Sequence, residues 1–229
     1  MNIPKHIAII PDGNRRWAKK KNLSPSQGHQ RGAETAELIT REAIKLGIPH
    51  ITAWGSSYDN LTKRPIYEIK ILNKLYKEFA DRLAKDKDII KHEVKVTFLG
   101  EWKDLLEPYV IDAFKNTEYK TKKYNKHFLT CLIGYNGDRE MIAAIKSLRK
   151  SDDPVTNDSI KKHLWTSALP SVDLLIRTGN EPHLSTGFMM WNIKYAELYF
   201  SNKLWPDFTV ADLKKAIKYY ATRERRYGK

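Results

Sequence analysis

The sequence contains a single cysteine, Cys131, and no long apolar run. One thiol excludes an internal disulfide framework and a cysteine-based metal cluster, which agrees with a reducing cytosol. No segment approaches the ~18 consecutive apolar residues that a membrane-spanning helix needs. Residues 1–10 also lack the profile of a secretory signal peptide. These absences predict a soluble, cytoplasmic protein.

Acidic residues are scarce relative to basic ones. The chain has 41 Lys and Arg against 27 Asp and Glu, which gives a formal net charge of +14 and a pI of about 9.6. Such an excess predicts an anionic partner, which would be nucleic acid, a membrane surface or a phosphate-bearing small molecule. The sequence contains no recognised nucleic-acid-binding motif, so we do not expect nucleic acid to be the partner.

Short apolar segments alternate with helical patterns along the 229 residues. Buried strands are predicted at residues 7–10, 50–55, 92–100, 128–134, 172–177 and 196–200. Helices are predicted at residues 15–21, 32–46, 65–83, 104–122, 138–150 and from 209 onward. Strands separated by helices form a mostly parallel sheet that is covered on both faces. We therefore predict an α/β fold in one domain, residues 1–229, with a mostly parallel six-stranded sheet flanked by helices.

The helix that begins near Pro65 carries a stripe of long apolar side chains. They are spaced three or four residues apart: Ile69, Leu72, Leu75, Phe79 and Leu83. Such a stripe ordinarily faces the protein core, because residues at this spacing lie on one side of a helix.

A turn rich in phosphate-binding groups follows the first predicted strand. Asp12 and Gly13 form the turn, and Asn14, Arg15 and Arg16 open a basic helix. Ligands of open α/β sheets bind beyond the carboxyl ends of strands, and helix N-termini and guanidinium groups suit phosphate oxygens. A carboxylate among such donors suits a divalent metal and a diphosphate. The alternative is an ordinary turn in which Asp12 caps the helix.

Two later loops also carry more polar residues than a turn requires. Residues 55–64 contain serines, an asparagine and an arginine, which alternatively serve only to form the turn. Residues 177–188 begin with Arg177 at the end of an apolar strand, where a charge is costly unless it meets an anion or a carboxylate. Asp12 and Glu197 either share a Mg²⁺ ion across strand ends or pair separately with arginines.

Five segments together closely resemble the cis-prenyltransferase family, of the undecaprenyl diphosphate synthase type. They are HIAIIPDGNRRWA at 6–18, GH at 28–29, SS…DN…KRP at 56–65, DLLIRTGNE at 173–181 and YAELYFSNKLWPDF at 195–208. The resemblance implies a Mg²⁺-dependent transferase that adds isopentenyl diphosphate units to an allylic prenyl diphosphate primer, each with a cis double bond. It also implies a homodimer, a hydrophobic tunnel walled by the helix after Pro65, and delivery of the product to a membrane through peripheral contact.

The resemblance further implies roles for single residues. Asp12, Asn14 and Asn60 match catalytic positions, and Asp12 and Glu197 match the two metal-linked acids. The matched substrate-binding positions are Gly13, Arg15, Arg16, Trp17, His29, Ser57, Arg64, Glu68, Arg177, His183, Ser185, Arg226 and Gly228. Arg226 and Gly228 belong to a C-terminal ending that in this family reaches into the active site of the partner subunit.

The sequence departs from the family pattern at three places. Pro25 stands where bacterial members carry an arginine, and the loop at 55–64 is one residue longer than usual. In the third loop His183 replaces a phosphate-binding arginine, and the pair Thr186-Gly187 includes an inserted residue. A histidine carries charge only when protonated, so these changes leave open the alternative of a non-catalytic partner subunit.

Overall fold

The structure is a computed structural model that describes residues 2–223. It contains six strands: β1 (His6–Ile10), β2 (His50–Ser56), β3 (Val94–Leu99), β4 (His127–Ile133), β5 (Leu174–Arg177) and β6 (Glu197–Phe200). They form one sheet in the order β3-β4-β2-β1-β5-β6, and every neighbouring pair is parallel. The six predicted strands and the single-domain α/β fold are confirmed.

Helices cover both faces of this sheet. Within residues 2–223 they are α1 (Asn14–Lys20), α2 (Pro25–Lys45), α3 (Tyr58–Thr62), α4 (Ile66–Leu83), α5 (Lys87–Lys91), α6 (Trp102–Leu105), α7 (Pro108–Thr121), α8 (Gly137–Leu148), α9 (Asn157–His163) and α10 (Val210–Ala221), with a 3₁₀ helix at Trp205–Asp207. No helix in this part of the chain is long and apolar enough to cross a bilayer.

Strand β1 is buried along its whole length, because both of its faces are covered by helices. Ile7 and Ile9 join the larger of two apolar clusters, whereas Ala8 and Ile10 join the cluster on the opposite face of the sheet. Successive residues of a strand point to opposite faces. The continuous apolar run predicted for this strand is therefore the signature of a sheet with two buried faces.

The strand order places three polar loops together. From β1 the chain proceeds to β2 on one side and returns much later to β5 on the other side. The order of strands thus reverses beside β1, and such a switch point leaves a crevice beyond the carboxyl ends of the strands. The loops that follow β1, β2 and β5 meet at this crevice.

Two predicted helices have different bounds in the structure. Helix α2 begins at Pro25 rather than at residue 32, after a capping box between Ser24 and Gln27. Its first turns pack on α1 through Gly28 and Gly32, so they lack the apolar side chains from which the helix was predicted. The predicted helix at 104–122 is divided into α6 and α7 because Pro108 starts a new helix.

Candidate active site

A cleft of about 570 Å³ opens at the carboxyl ends of β1, β2 and β5. Most of the residues predicted to act on substrate line it: Asp12, Gly13, Asn14, Arg15, Arg16, His29, Ser57, Asn60, Arg64, Arg177 and Ser185. These residues are up to 173 positions apart in the sequence, and the sheet topology brings them to one place. The cleft carries more basic than acidic side chains, as a diphosphate site requires.

Asp12 lies just beyond the end of β1 and between two arginines. Its Oδ1 lies 3.1 Å from Arg16 Nη2, and its Oδ2 lies 3.1 Å from Arg177 Nη2. The side chain remains 34% exposed to the cleft. Its backbone is held by Thr178, whose hydroxyl accepts from Asp12 N at 2.9 Å and donates to Asp12 O at 2.8 Å. Asp12 is therefore a fixed carboxylate with oxygen atoms accessible to a ligand.

Arg177 is almost fully buried, at 4% exposure. Its Nη1 donates to the backbone carbonyl of His183 at 2.7 Å and to Ser185 Oγ at 2.9 Å. Its Nε is buried and has no hydrogen-bond partner among the described residues. Charges are buried in proteins when they are paired and hydrogen-bonded. Arg177 thus ties Asp12 to the third loop, and one of its buried donors has no partner in this part of the chain.

Glu68 gathers three basic side chains beside the cleft. It is 2% exposed, and its Oε1 lies 3.1 Å from His29 Nε2 and accepts from Arg64 Nη1 at 2.8 Å. Arg15 Nη1 lies 3.8 Å from the other oxygen. Burial lowers the pKa of His29, and the hydrogen bond with Glu68 opposes this shift. Glu68 does not line the cleft itself; it orients the basic groups that do.

Asn14 opens α1 and lies against Gly32 of α2. A Cβ atom at position 32 would lie 2.3 Å from Asn14 Oδ1, so the side chain fits only because residue 32 is glycine. Asn14 Oδ1 is buried and has no hydrogen-bond partner among residues 2–223. A buried acceptor without a partner is uncommon in folded proteins, so this position merits a functional explanation.

Asn60 lies in the short helix α3, in a stretch that the sequence predicted as a loop, and Ser57 caps this helix. Ser57 Oγ accepts from Asn60 N at 3.0 Å, and Asn60 Oδ1 accepts from Ser57 N at 3.4 Å. The two side chains therefore form a capping box, which was the turn-forming alternative. Both also line the cleft, so the structural role and the predicted binding role are compatible.

His183 does not line the cleft. Its side chain is 56% exposed and lies 3.6 Å from Glu181 Oε2, while its backbone carbonyl binds Arg177. The predicted replacement of a phosphate-binding arginine by this imidazole thus lacks support in the geometry. Glu181, which the sequence did not single out, lines the cleft and accepts from Arg16 Nη1 at 3.1 Å. Its place in the segment RTGNE, directly after a buried strand, was the available signal.

Asp12 and Glu197 do not meet within the chain. The strand register pairs Glu197 with Leu174 at the amino end of β5, whereas Arg177, the neighbour of Asp12, lies at its carboxyl end. Glu197 pairs instead with Arg223, at 3.4 Å. The shared metal site predicted from sequence is therefore not formed by these two carboxylates in one chain.

Trp17 is a further predicted residue that lies outside the cleft lining. Trp17 points to the 3₁₀ helix, where its Nε1 donates to Asp207 at 2.8 Å. Arg226 and Gly228 lie outside the described residues, so their predicted role stays a prediction.

An apolar pocket of about 130 Å³ adjoins the cleft and shares Pro11, Asn14, His29, Trp54 and Gly55 with it. Three members of the predicted stripe on α4 line this pocket, namely Leu72, Leu75 and Phe79, together with Tyr76 and residues of β4 and α7. Leu83 packs in the core instead. The stripe thus divides between core and pocket.

The donor set of the cleft fits a Mg²⁺ ion held jointly with substrate. Among the described residues no group of three or more His, Cys, Asp and Glu side chains is placed to hold a metal. Mg²⁺ is commonly bound by one or two carboxylates together with substrate phosphates rather than by a complete protein cage. The accessible carboxylate of Asp12 would supply such a ligand.

An open parallel sheet whose switch point carries a basic, carboxylate-containing cleft beside an apolar pocket is the geometry expected of an enzyme whose substrate joins a diphosphate to an apolar group. The family described as undecaprenyl diphosphate synthase matches residues 10–228. The chain belongs to this family of prenyltransferases, enzymes that generally need a divalent metal.

Named relatives agree with this assignment. The chain is 39% identical to an isoprenyl transferase of Thermotoga maritima, covering 100% of this chain and 98% of that protein. It is 38% identical to a geranylgeranyl-diphosphate-specific tritrans,polycis-undecaprenyl-diphosphate synthase of Methanocaldococcus jannaschii, covering 100% and 84%. A solved structure of lavandulyl diphosphate synthase from Lavandula x intermedia in complex with dimethylallyl diphosphate superposes with a TM-score of 0.91, at 29% identity and 99% coverage of both chains.

Proposed function

We propose that this protein is a cis-prenyl synthase that condenses isopentenyl diphosphate onto an allylic prenyl diphosphate primer, forming cis double bonds in a Mg²⁺-dependent reaction. The observation that carries the proposal is the junction of two environments. The cleft around Asp12, Arg16 and Arg177 suits diphosphates, and the pocket lined by Leu72 and Tyr76 suits a prenyl chain.

The cleft residues have distinct tasks in this reaction. Ionisation of the allylic primer places negative charge on the leaving pyrophosphate, which preorganised donors such as Arg15 and Arg16 would stabilise. A bound Mg²⁺, held by Asp12 and phosphate oxygens, would supply further neutralisation of that charge. Arg177 and Ser185 would hold the isopentenyl diphosphate. Asn14 lines both the cleft and the apolar pocket, which supports a role for this residue in orienting the condensing unit while its C2 carbon loses a proton to the released pyrophosphate.

The apolar pocket is where the elongating chain would begin. Its 130 Å³ is small, and the stacked rings of Phe98 and Phe114, whose centroids lie 3.8 Å apart, form part of its wall. We propose that this pocket is the entrance of the tunnel predicted from sequence. Displacement of these rings would then determine how much prenyl chain the enzyme accommodates.

The decisive experiment is product analysis with purified protein. Labelled isopentenyl diphosphate is incubated with farnesyl or geranylgeranyl diphosphate, with Mg²⁺, with EDTA, and with EDTA followed by excess Mg²⁺, and the dephosphorylated products are sized. We expect elongated products that disappear with EDTA and return with Mg²⁺. Absence of incorporation with every primer would contradict the proposal and favour the non-catalytic subunit.

We propose a homodimer as the working form. Ile142 and Ile145 of α8 are about half exposed, at 52% and 49%, and exposed apolar side chains are typical of association surfaces. Measurement of the molar mass in solution tests this assembly. Mixing an Arg226→Ala chain with an Asp12→Ala chain tests whether sites are shared, since verified mixed dimers should recover part of the activity.

We also propose peripheral contact with a membrane surface. The end of α7 offers a suitable face, where Tyr119 is 67% exposed and Lys122 Nζ lies 3.9 Å from its ring centroid. Glu118, the acidic residue beside them, is directed inward to Phe98 N at 2.8 Å. Lysine and tyrosine together suit an anionic lipid interface. Flotation with anionic and with neutral vesicles measures this contact.

A further inference from the structure

The segment between β4 and α8 contains a buried amide that reaches a cleft loop. Asn136 is 4% exposed. Its Oδ1 accepts from the backbone N–H of Tyr58 at 3.0 Å, and its Nδ2 donates to Asp59 Oδ2 at 3.0 Å. Both ends of the amide are therefore engaged by the first turn of α3. Asn136 does not line the cleft itself.

Helix α3 depends on such an anchor. It has five residues, and a helix of this length is unstable without tertiary contacts because its nucleation is unfavourable. The same helix carries Asn60, and Ser57 caps it, so its placement determines where two cleft side chains lie.

The next two residues hold the loop that follows β5. The backbone N–H groups of Gly137 and Asp138 donate to Thr186 O, at 2.9 and 3.3 Å. Thr186 has a φ of 46°, which is unfavourable for a β-branched residue and needs such support. A Cβ atom at position 137 would lie 1.8 Å from Gly187 O, so only glycine permits this approach.

The loop after β2 and the loop after β5 thus meet at one junction, formed by Asn136 and the backbone N–H groups of Gly137 and Asp138. We propose that Asn136 is a positioning residue. Together with the backbone N–H of the adjacent Gly137, it sets the distance between α3 and residues Ser185–Thr186, so that both segments contact one diphosphate substrate. This inference rests on the proposed function, since it assigns the cleft to substrate.

The test exploits the direction of the hydrogen bond between Asn136 and Asp59. Asn136→Asp would place two carboxylates face to face, so α3 must shift or one group must take up a proton. We expect KM for the diphosphate substrates and Kd for inorganic pyrophosphate to rise about tenfold, with a much smaller change in kcat. In an Asp59→Asn background, an amide at 59 can donate to a carboxylate at 136. Adding Asn136→Asp should therefore raise KM or Kd by less than about threefold relative to Asp59→Asn alone.

Asn116→Asp, at an exposed position of α7, is the matched control for the added charge, and it should leave KM and Kd unchanged. If Asn136→Asp fails to fold, Asn136→Ala removes both hydrogen bonds without adding charge and should raise KM in the same direction. The inference is overturned if Asn136 variants lower only the melting temperature, or if the Asp59→Asn background does not diminish the effect. Pyrophosphate binding needs no turnover. A wild-type protein that binds pyrophosphate but transfers no prenyl group would therefore refute the proposed function alone, while the binding series still decides the role of Asn136.

Discussion

Ionisable side chains at the two ends of the parallel sheet lie in different environments. At the carboxyl end, Asp12 and Arg177 are paired with each other, and Glu68 is surrounded by basic groups. At the amino end, His6 is fully buried between Pro170 O, at 3.0 Å from Nδ1, and Thr52 Oγ1, at 2.8 Å from Nε2. Its burial lowers its pKa to about 4.

This difference separates function from stability along the same strands. The paired charges at the carboxyl end can also interact with an anionic ligand. The protein leaves some donors and acceptors there without a partner, such as Arg177 Nε. The neutral imidazole of His6 is satisfied by Pro170 O and Thr52 Oγ1, and neither His6 nor these two partners line the cleft. Changes at the first end should therefore alter kinetics, and changes at the second should alter the free energy of unfolding.

The largest expected effect is at Asp12. Asp12→Ala removes the carboxylate that would hold Mg²⁺ and that pairs with Arg16 and Arg177, so kcat should fall on the order of a thousandfold. Steady-state kinetics with saturating Mg²⁺ measure the loss, and Asp112→Ala on the exposed face of α7 is the control. Near wild-type turnover by Asp12→Ala would disprove the assignment.

A smaller kinetic effect is expected at Glu68. Glu68→Gln keeps the shape but removes the charge that orients His29 and Arg64, so kcat/KM should fall about tenfold to a hundredfold. The substitution should also lower the pKa of His29 further, because Glu68 raises it in the native protein. NMR titration of His29 measures that shift.

Glu42→Gln is the control for Glu68, since this carboxylate pairs with Lys214 Nζ at 2.9 Å and lines neither the cleft nor the apolar pocket. We expect it to leave kcat/KM unchanged. Equal kinetic losses from both substitutions would mean that the effect of Glu68 is general destabilisation.

The smallest effect on activity, and a clear effect on stability, is expected at His6. The unfolded chain takes up a proton at this histidine near pH 6.5, whereas the folded protein does so only near pH 4. The free energy of unfolding should therefore fall as pH decreases from 6.5 to 4, by roughly 1.4 kcal/mol per pH unit from this group. Above pH 6.5 this loss is absent.

Comparison of denaturant unfolding for wild type and His6→Gln between pH 4 and 7.5 isolates this contribution, because the other groups titrate in both proteins. His50, whose pKa is also lowered by burial, acts in the same direction in each. Between pH 4 and 6.5 the free energy of unfolding of the variant should depend less steeply on pH than that of wild type, by up to the equivalent of one bound proton. The kcat of the variant at pH 7.5 should match that of wild type. Identical slopes would show that His6 is accessible to protonation in the folded state.

The sequence predicted the elements of the fold better than their ends. Strands β1 and β4 were recognisable because two buried faces require an uninterrupted apolar run. Helix α2 was predicted to start too late because its first turns contact α1 through glycines, which carry no hydrophobic signal. The interruption before α7 was visible as Pro108, but periodicity alone continues across it.

By itself the sequence determined the chemistry of the cleft. Asp12 follows the end of β1, Arg177 ends β5 and Arg16 lies in the first turn of the helix after β1, and strand ends converge in any open parallel sheet. Tertiary structure alone decided which side chains line the cleft. His183 and Trp17 turn away and Glu197 lies at the amino end of β6, whereas Glu181 lines the cleft and Thr178 secures Asp12. Strand register and loop conformation set these directions, and both depend on contacts between residues far apart in the chain, which local pattern does not encode.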